Sequence, residues 1–343
     1  MKRSWITAAA MVLGSLSLVA CSEDPPNAAP EPSGPAATQV PEPNGRIVFA
    51  RADPSAGVIA GDADTYTYAV NADGSDEQPL FSEGPSAGPR WSPGGDEIQV
   101  FCCDDGMAAH IVDPETGVIR TSFPPPDPTL ETSCGGAWSP DGERLACEGF
   151  GVDDPSRNGI YTIRVSDGGA LTRITANDGG DDIPGDYSPV GDRLVFFRST
   201  EGGKVGIFVT ELDGDDVHRI SPSGAVVADT TAGRWSPIDD RILFVAHDSP
   251  NHHKAIWVVN ADGSDPHRLP VHPGCGGPLS DPESFGCYSP SWSPDGRWIV
   301  FVRSAPDGSE ESLWIVNAHG SGLVQLTDGG FDDQPDWGPE PTA

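Results

Sequence analysis

One motif recurs along this chain at Trp91-Ser92-Pro93, Trp138-Ser139-Pro140, Tyr187-Ser188-Pro189, Trp235-Ser236-Pro237 and Trp292-Ser293-Pro294, with a looser sixth copy at Trp337-Gly338-Pro339. The mean spacing is about 49 residues, within the range of propeller blades. Each full copy is followed by a short β-branched or aromatic run, such as Leu194-Val195-Phe196-Phe197 or Trp298-Ile299-Val300-Phe301. A second run then ends in an Asn/Asp-Gly-type turn (Trp257 to Gly263, Trp314 to Gly320), and a weaker third follows, as at Arg173-Ile174-Thr175. None of these runs shows a helical period, and all are bounded by Gly, Pro or Asp. Counting the strand that carries the Trp, each unit supplies four strands.

The sixth unit lacks a second strand after Pro339, and a matching one stands at the other end of the chain. Gly45-Arg46-Ile47-Val48-Phe49-Ala50-Arg51 parallels Gly296-Arg297-Trp298-Ile299-Val300-Phe301-Val302-Arg303. A unit divided between the termini is what a closed ring requires, because the N-terminal strand then removes the open edges of a linear array. The expected fold is all-β: a six-bladed β-propeller of four-stranded antiparallel blades over residues 45–339, the last blade closed by the N-terminal strand. In the motif the Pro and the Asp-Gly pair shape a hairpin turn. The motif aromatic, Trp in five units and Tyr187 in the third, recurs in register and is expected to pack between sheets.

These repeats resemble those of the TolB-like, WD-repeat-like six-bladed propellers, and the resemblance covers Gly45 to Pro339. TolB itself is a soluble periplasmic protein with an additional N-terminal α/β domain, and it works with the peptidoglycan-associated lipoprotein in the Tol-Pal envelope system. The resemblance therefore implies a role in the cell envelope.

Ahead of the repeats, Lys2 and Arg3 precede an uncharged apolar run from Trp5 to Val19, the layout of an export signal. The run ends Leu18-Val19-Ala20-Cys21, which resembles a bacterial lipobox, so residues 1–20 read as a lipoprotein signal peptide and Cys21 as the lipid-attachment residue. Residues 21–44 are rich in Pro and Ala and without aromatics, a semi-rigid spacer able to reach on the order of 70 Å in the polyproline limit. Residues 340–343 are a short tail. The expected location is outside the cytoplasm, lipid-anchored to the cell membrane or outer membrane and facing periplasm or exterior.

The formal charge is -32, with 52 acids against 20 Lys and Arg, which argues against nucleic-acid partners. Asp is the commoner acid and the turn former of the two, so much of the charge is expected in Asx and Asp-Gly turns. Two connectors stand apart: Asp178 to Asp186 before the third motif, with Asp181, Asp182 and Asp186, and Asp328 to Asp336 before the sixth, with Asp332, Asp333 and Asp336. In a propeller such connectors gather at one channel mouth. If blades 3 and 6 face each other across it, their carboxylates converge, with Arg90 and Arg234 as local counter-charges. These eight residues are the candidate binding site. No cofactor is predicted; calcium is the ion those oxygens would suit.

The six remaining cysteines are expected to form disulfides in an exported protein. Cys275 and Cys287 flank a Gly/Pro-rich insertion, and Cys134 and Cys147 lie symmetrically about a motif turn, which leaves Cys102 and Cys103 as a vicinal pair or one of them free to reach Cys134. The string Gly84-Pro85-Ser86-Ala87-Gly88 mimics a nucleophile elbow but sits in a connector before a strand rather than on a strand-to-helix turn. The cluster His247, Asp248, His252 and His253 fits no metal signature. The functional expectation is a monomeric, non-enzymatic module that binds an envelope protein or cell-wall component through one face. The alternative is a metal-dependent propeller hydrolase or lactonase using channel-mouth carboxylates.

Overall fold

The computed structural model describes residues 45–52, 65–80, 85–102, 109–123, 127, 129–200, 202–228, 232–272, 274–328 and 330–339. The signal, Cys21, the spacer and the tail lie outside these residues, as does Cys103.

Six antiparallel sheets are arranged in a ring. The first strand of each is the innermost, and successive first strands touch around a closed circuit: Ser86–Trp91, Leu130–Trp138, Asp182–Tyr187, Arg234–Trp235, Gly286–Trp292, Asp332–Trp337 and back to Ser86–Trp91. The sixth blade is the divided one. Its inner strand Asp332–Trp337 pairs with Arg46–Ala52 (Ile47 opposite Trp337, Arg51 opposite Asp332), which pairs in turn with Thr65–Asn71. The ring is thus sealed by a strand pairing, as the split repeat required.

Blade 4 departs from the four-stranded plan. Its first strand is broken into Val226–Val227 and Arg234–Trp235, both paired with Arg241–His247, so this sheet has five strands. Gly233, at φ 99°, redirects the backbone immediately before Arg234. The other inner strands carry a milder form of the same feature, a register shift just ahead of the motif aromatic in blades 1, 2, 3, 5 and 6. Bulges of this kind re-aim side chains at barrel rims. In blades 5 and 6, Ser289 and Gln334 take left-handed φ values of 49° and 53°, strain that non-glycine residues accept only when the surroundings impose it.

The motif aromatics fill the gaps between neighbouring sheets. Trp235 packs with Val195, Ile207 and Val209 of blade 3 and Phe244 of blade 4, and Trp292 with Leu243 and Val258 of blade 4 and Phe301 of blade 5. Trp91 does the same across the seam, against Val48 and Ala69 of blade 6. The fully buried Phe49, Phe196, Phe244 and Phe301 occupy equivalent places on second strands. The motif serine locks the turn: Ser139 Oγ accepts from Arg144 N (2.9 Å) and donates to Asp141 (2.5 Å), and Ser293 repeats this with Trp298 N and Asp295. Asp73, Asp262 and Asp307 each accept from a serine two residues on, which holds their carboxyls below the usual range. Much of the acid excess is therefore turn chemistry.

Two disulfides form as expected. Cys134–Cys147 joins the inner and second strands of blade 2, and Cys275–Cys287 ties the insertion to the inner strand of blade 5. The two ends of the ring are distinct. One carries the Trp-Ser-Pro turns, and Gly45 sits there against Gly338, whose amide donates to Arg46 O (3.0 Å). The other, the connector face, carries the starts of the inner strands.

Candidate functional site

One residue per blade precedes the motif aromatic on these bulged inner strands, Arg90, Ala137, Asp186, Arg234, Ser291 and Asp336; all but Ala137, which packs with Ile160 and Tyr187 between blades 2 and 3, line the channel. The order arginine, small residue, aspartate therefore occurs twice around the ring, and four charged side chains meet at the neck. Arg90 donates to Asp336 (3.3 Å), to Asp186 (3.2 Å) and to Gly185 O (3.3 Å). Arg234 Nη1 stands 3.4 Å from Asp336 and 3.7 Å from Asp186. The second oxygen of each aspartate is committed to the next blade: Asp186 accepts from Trp235 N (3.1 Å) and Asp336 from Trp91 N (2.9 Å). Burial, reinforced by Asp336, pushes the Asp186 carboxyl up to about 7 against the opposing pull of Arg90 and the Trp235 amide.

The neck divides the channel. On the connector side a cavity of 240 Å3 opens between Gly88, Ser133, Gly135, Glu148, Pro184, Ser289 and Gln334, with Arg90 and Arg234 as its floor. On the other side a wider funnel of 430 Å3 is ringed by the motif aromatics and prolines and reaches the same two arginines. Two arginines stand at the connector-side floor, each in ionic contact with Asp186 and Asp336, although the chain as a whole is strongly acidic.

The remaining connector acids do not enter this cavity. Asp182 and Asp332 are buried and turn to the second strand of their own blades. Arg198 grips Asp182 through two nitrogens (2.7 and 2.6 Å), and Arg51 grips Asp332 in the same way (2.5 and 2.9 Å). Thr175 and Thr327 each add a hydroxyl donor at 2.6 Å. Asp181 is exposed and accepts from Ser199 Oγ, while Asp333 accepts from Ser289 Oγ (2.8 Å) and Gln334 N (2.7 Å). Asp186 and Asp336 thus converge with Arg90 and Arg234; the other four acids are held apart by separate partners.

Sequence reasoning missed Arg51, Arg198 and Glu148. Phe49-Ala50-Arg51 and Phe196-Phe197-Arg198 share a Phe-x-Arg ending, but Phe301-Val302-Arg303 of blade 5 has it too with Cys287 opposite, so it becomes a signal only beside a connector aspartate. Glu148 has no comparable signal. It lies opposite Ser133 on the second strand of blade 2 and has neither a hydrogen bond nor an ion pair among the described residues. Burial, with Asp181 and Asp182 nearby, pushes its carboxyl up to about 8.

Two other motifs find structural uses. Ser86 is buried, and its hydroxyl bonds Thr67 of the neighbouring blade (2.8 Å). His247 Nδ1 pairs with His252 O (2.8 Å) and Asp248 with Arg268, and no group of three or more His, Cys, Asp or Glu is placed to hold a metal among the described residues.

A family model described as the TolB beta propeller domain matches residues 45–341. The chain belongs to the TolB β-propeller family. Among solved structures, TolB of Acinetobacter baumannii superposes with a TM-score of 0.62 at 21% identity, over 86% of this chain and 67% of that one. A putative TolB from Agrobacterium tumefaciens gives 0.59 at 16%, over 85% and 91%. Identities this low speak to the TolB fold alone. Among curated relatives, an uncharacterized protein of Agrobacterium fabrum is 32% identical over 49% of this chain and 54% of its own length. The Tol-Pal system protein TolB 1 of Novosphingobium aromaticivorans is 35% identical over 20% of this chain and 15% of its own. The matches thus span about half of the first relative and a small part of the second.

Proposed function

We propose that this TolB-family propeller is an exported, lipid-anchored binding module that engages an envelope partner through the connector face, without chemistry of its own. The observation that carries this reading is the connector-side cavity, a concave opening with two arginines at its floor and strained Ser289 and Gln334 at its rim. Concave sites with a few placed polar groups are where propellers and other scaffolds bind. The described fold begins at Gly45 on the opposite, Trp-Ser-Pro face. The channel-mouth carboxylates, which a hydrolase would use, accept hydrogen bonds from arginine, serine and backbone groups instead.

A photo-crosslinking residue placed at Gly135, on the cavity rim, should capture a discrete envelope component, and one placed at Val190, exposed on the opposite face, should not. Capture from Val190 alone would reverse the assignment of faces. Cys21→Ala should release the protein from membranes, and unchanged partitioning would refute the anchor.

A further inference from the structure

Arg90 and Arg234 stand at equivalent places three blades apart, yet they are used unequally. Arg90 makes three hydrogen bonds. The Arg234 guanidinium makes only the two long ion contacts to Asp336 and Asp186, with no side-chain hydrogen bond among the described residues, and it keeps 17% exposure to the channel. Neither aspartate can swing over to saturate it, because each has its second oxygen fixed by the amide of a motif tryptophan. A guanidinium offers five donors in a rigid planar fork, and here part of that fork is left facing an open cavity.

We propose that the connector-side mouth is a carboxylate-binding site, in which a carboxylate carried on a slender stem lies on Arg234, with Arg90 beside it and Glu148 and Gln334 on the walls. This rests on the reading of the connector face as the binding face, and it names the chemistry that face receives. A planar carboxylate matches the free edge of a guanidinium. The Gln334 carbonyl oxygen accepts from Gly88 N (2.8 Å), which leaves its amide nitrogen to donate. The displaced titration of Glu148 keeps that carboxyl largely protonated at neutral pH, as a donor rather than a repelling charge. For the same reason Glu148 is a poor counter-ion for a cation, which would also meet two arginines. The overall charge of the chain opposes an anion at long range, but screening cuts that off within about 8 Å at physiological salt. At the floor Asp186 and Asp336 offset the two arginine charges, so what receives the carboxylate is the unused donor edge of Arg234. A volume of 240 Å3 falls below the roughly 300–1,000 Å3 of pockets for drug-sized ligands, so the occupant is a group of about one residue.

The test titrates the full chain with N-acetylglycine and with its neutral counterpart N-acetylglycinamide, following arginine Nε–Hε resonances by NMR. N-acetylglycine should give a saturable shift with a Kd on the order of 1 mM, and the amide none. Arg234→Gln should weaken binding at least tenfold. Gly135→Leu should block it with an unchanged Tm, because a Cβ at Gly135 meets nothing within 4 Å and the new side chain would stand in the mouth. A peptide with a free C-terminal glycine and a blocked peptide bearing one internal Asp separate a chain end from a side chain, and binding of either supports the assignment. Equal binding of N-acetylglycinamide, full affinity in Arg234→Gln, or no binding by any of the carboxylates would overturn it. Capture at Gly135 without carboxylate binding would sink this inference and leave the binding face standing; carboxylate binding without capture would do the reverse.

Discussion

The ring contains two sets of two arginines and two aspartates, and they behave differently. In the blade walls, Arg198 with Asp182 and Arg51 with Asp332 form close bidentate pairs whose carboxylates are fully buried and finished by a threonine hydroxyl. At the neck, Arg90, Arg234, Asp186 and Asp336 share longer contacts of 3.2 to 3.7 Å, and one guanidinium keeps donors to spare. The same four residue types hold a blade together in one place and leave a receptive surface in the other. What decides is where the second carboxylate oxygen goes. In the wall it completes the arginine fork; at the neck it caps the next blade's tryptophan amide.

Breaking a wall pair should have the largest effect. Asp182→Ala strands Arg198 in a partly buried site, and loss of one partner of such a pair costs about 3–5 kcal/mol, a Tm drop on the order of 10 °C by thermal melt. A drop near 1 °C would mean that the wall pairs are not structural. Among the described residues blade 2 has no such pair, and it carries Cys134–Cys147 between its inner and second strands. Replacing both cysteines by serine should cost roughly 2–3 kcal/mol in denaturant melts, somewhat less than breaking a wall pair. An equal or larger loss would make the disulfide the stronger fastening.

A smaller, pH-dependent effect sits at Glu148. Its folded pKa is raised from 4.5 to about 8, so between those values the folded chain holds a proton that the unfolded chain has released. Stability should therefore fall as pH rises through that window and level off above it. Glu148→Gln removes the penalty. Allowing for solvent at the cavity wall, the variant should be on the order of 1 kcal/mol more stable than the parent at pH 9 and equal to it at pH 4. Asp181 and Asp182 reinforce the effect. Parallel pH profiles for the two proteins would show that Glu148 is solvated and ordinary.

The ring was legible in the sequence because its signals are periodic. The Trp-Ser-Pro register gave the blades, and the likeness of Gly45–Arg51 to Gly296–Arg303 placed the seam that Arg46–Ala52 closes. The neck was legible in part, since Arg90, Asp186, Arg234 and Asp336 all stand one residue before a motif aromatic. Two things stayed hidden. The partner of Asp332 lies 281 residues away on a strand from the other end of the chain, so the connector acids read as a free cation site when two of them were already paired. Glu148 has no periodic counterpart, and its environment comes from side chains of neighbouring blades that only folding assembles. In blade 4 the positive φ of Gly233, immediately before Arg234, is likewise not marked by the residue pattern.

The difference between wall and neck reduces to one paired measurement, Tm and N-acetylglycine affinity for Arg198→Gln and Arg234→Gln side by side. Arg198→Gln should lose several degrees of Tm, and its remaining folded fraction should bind N-acetylglycine as the parent does. Arg234→Gln should keep its Tm within about 2 °C and lose at least tenfold in affinity. If Arg234→Gln melts as early as Arg198→Gln, or binds N-acetylglycine unchanged, the neck is simply another structural pair and the account is contradicted.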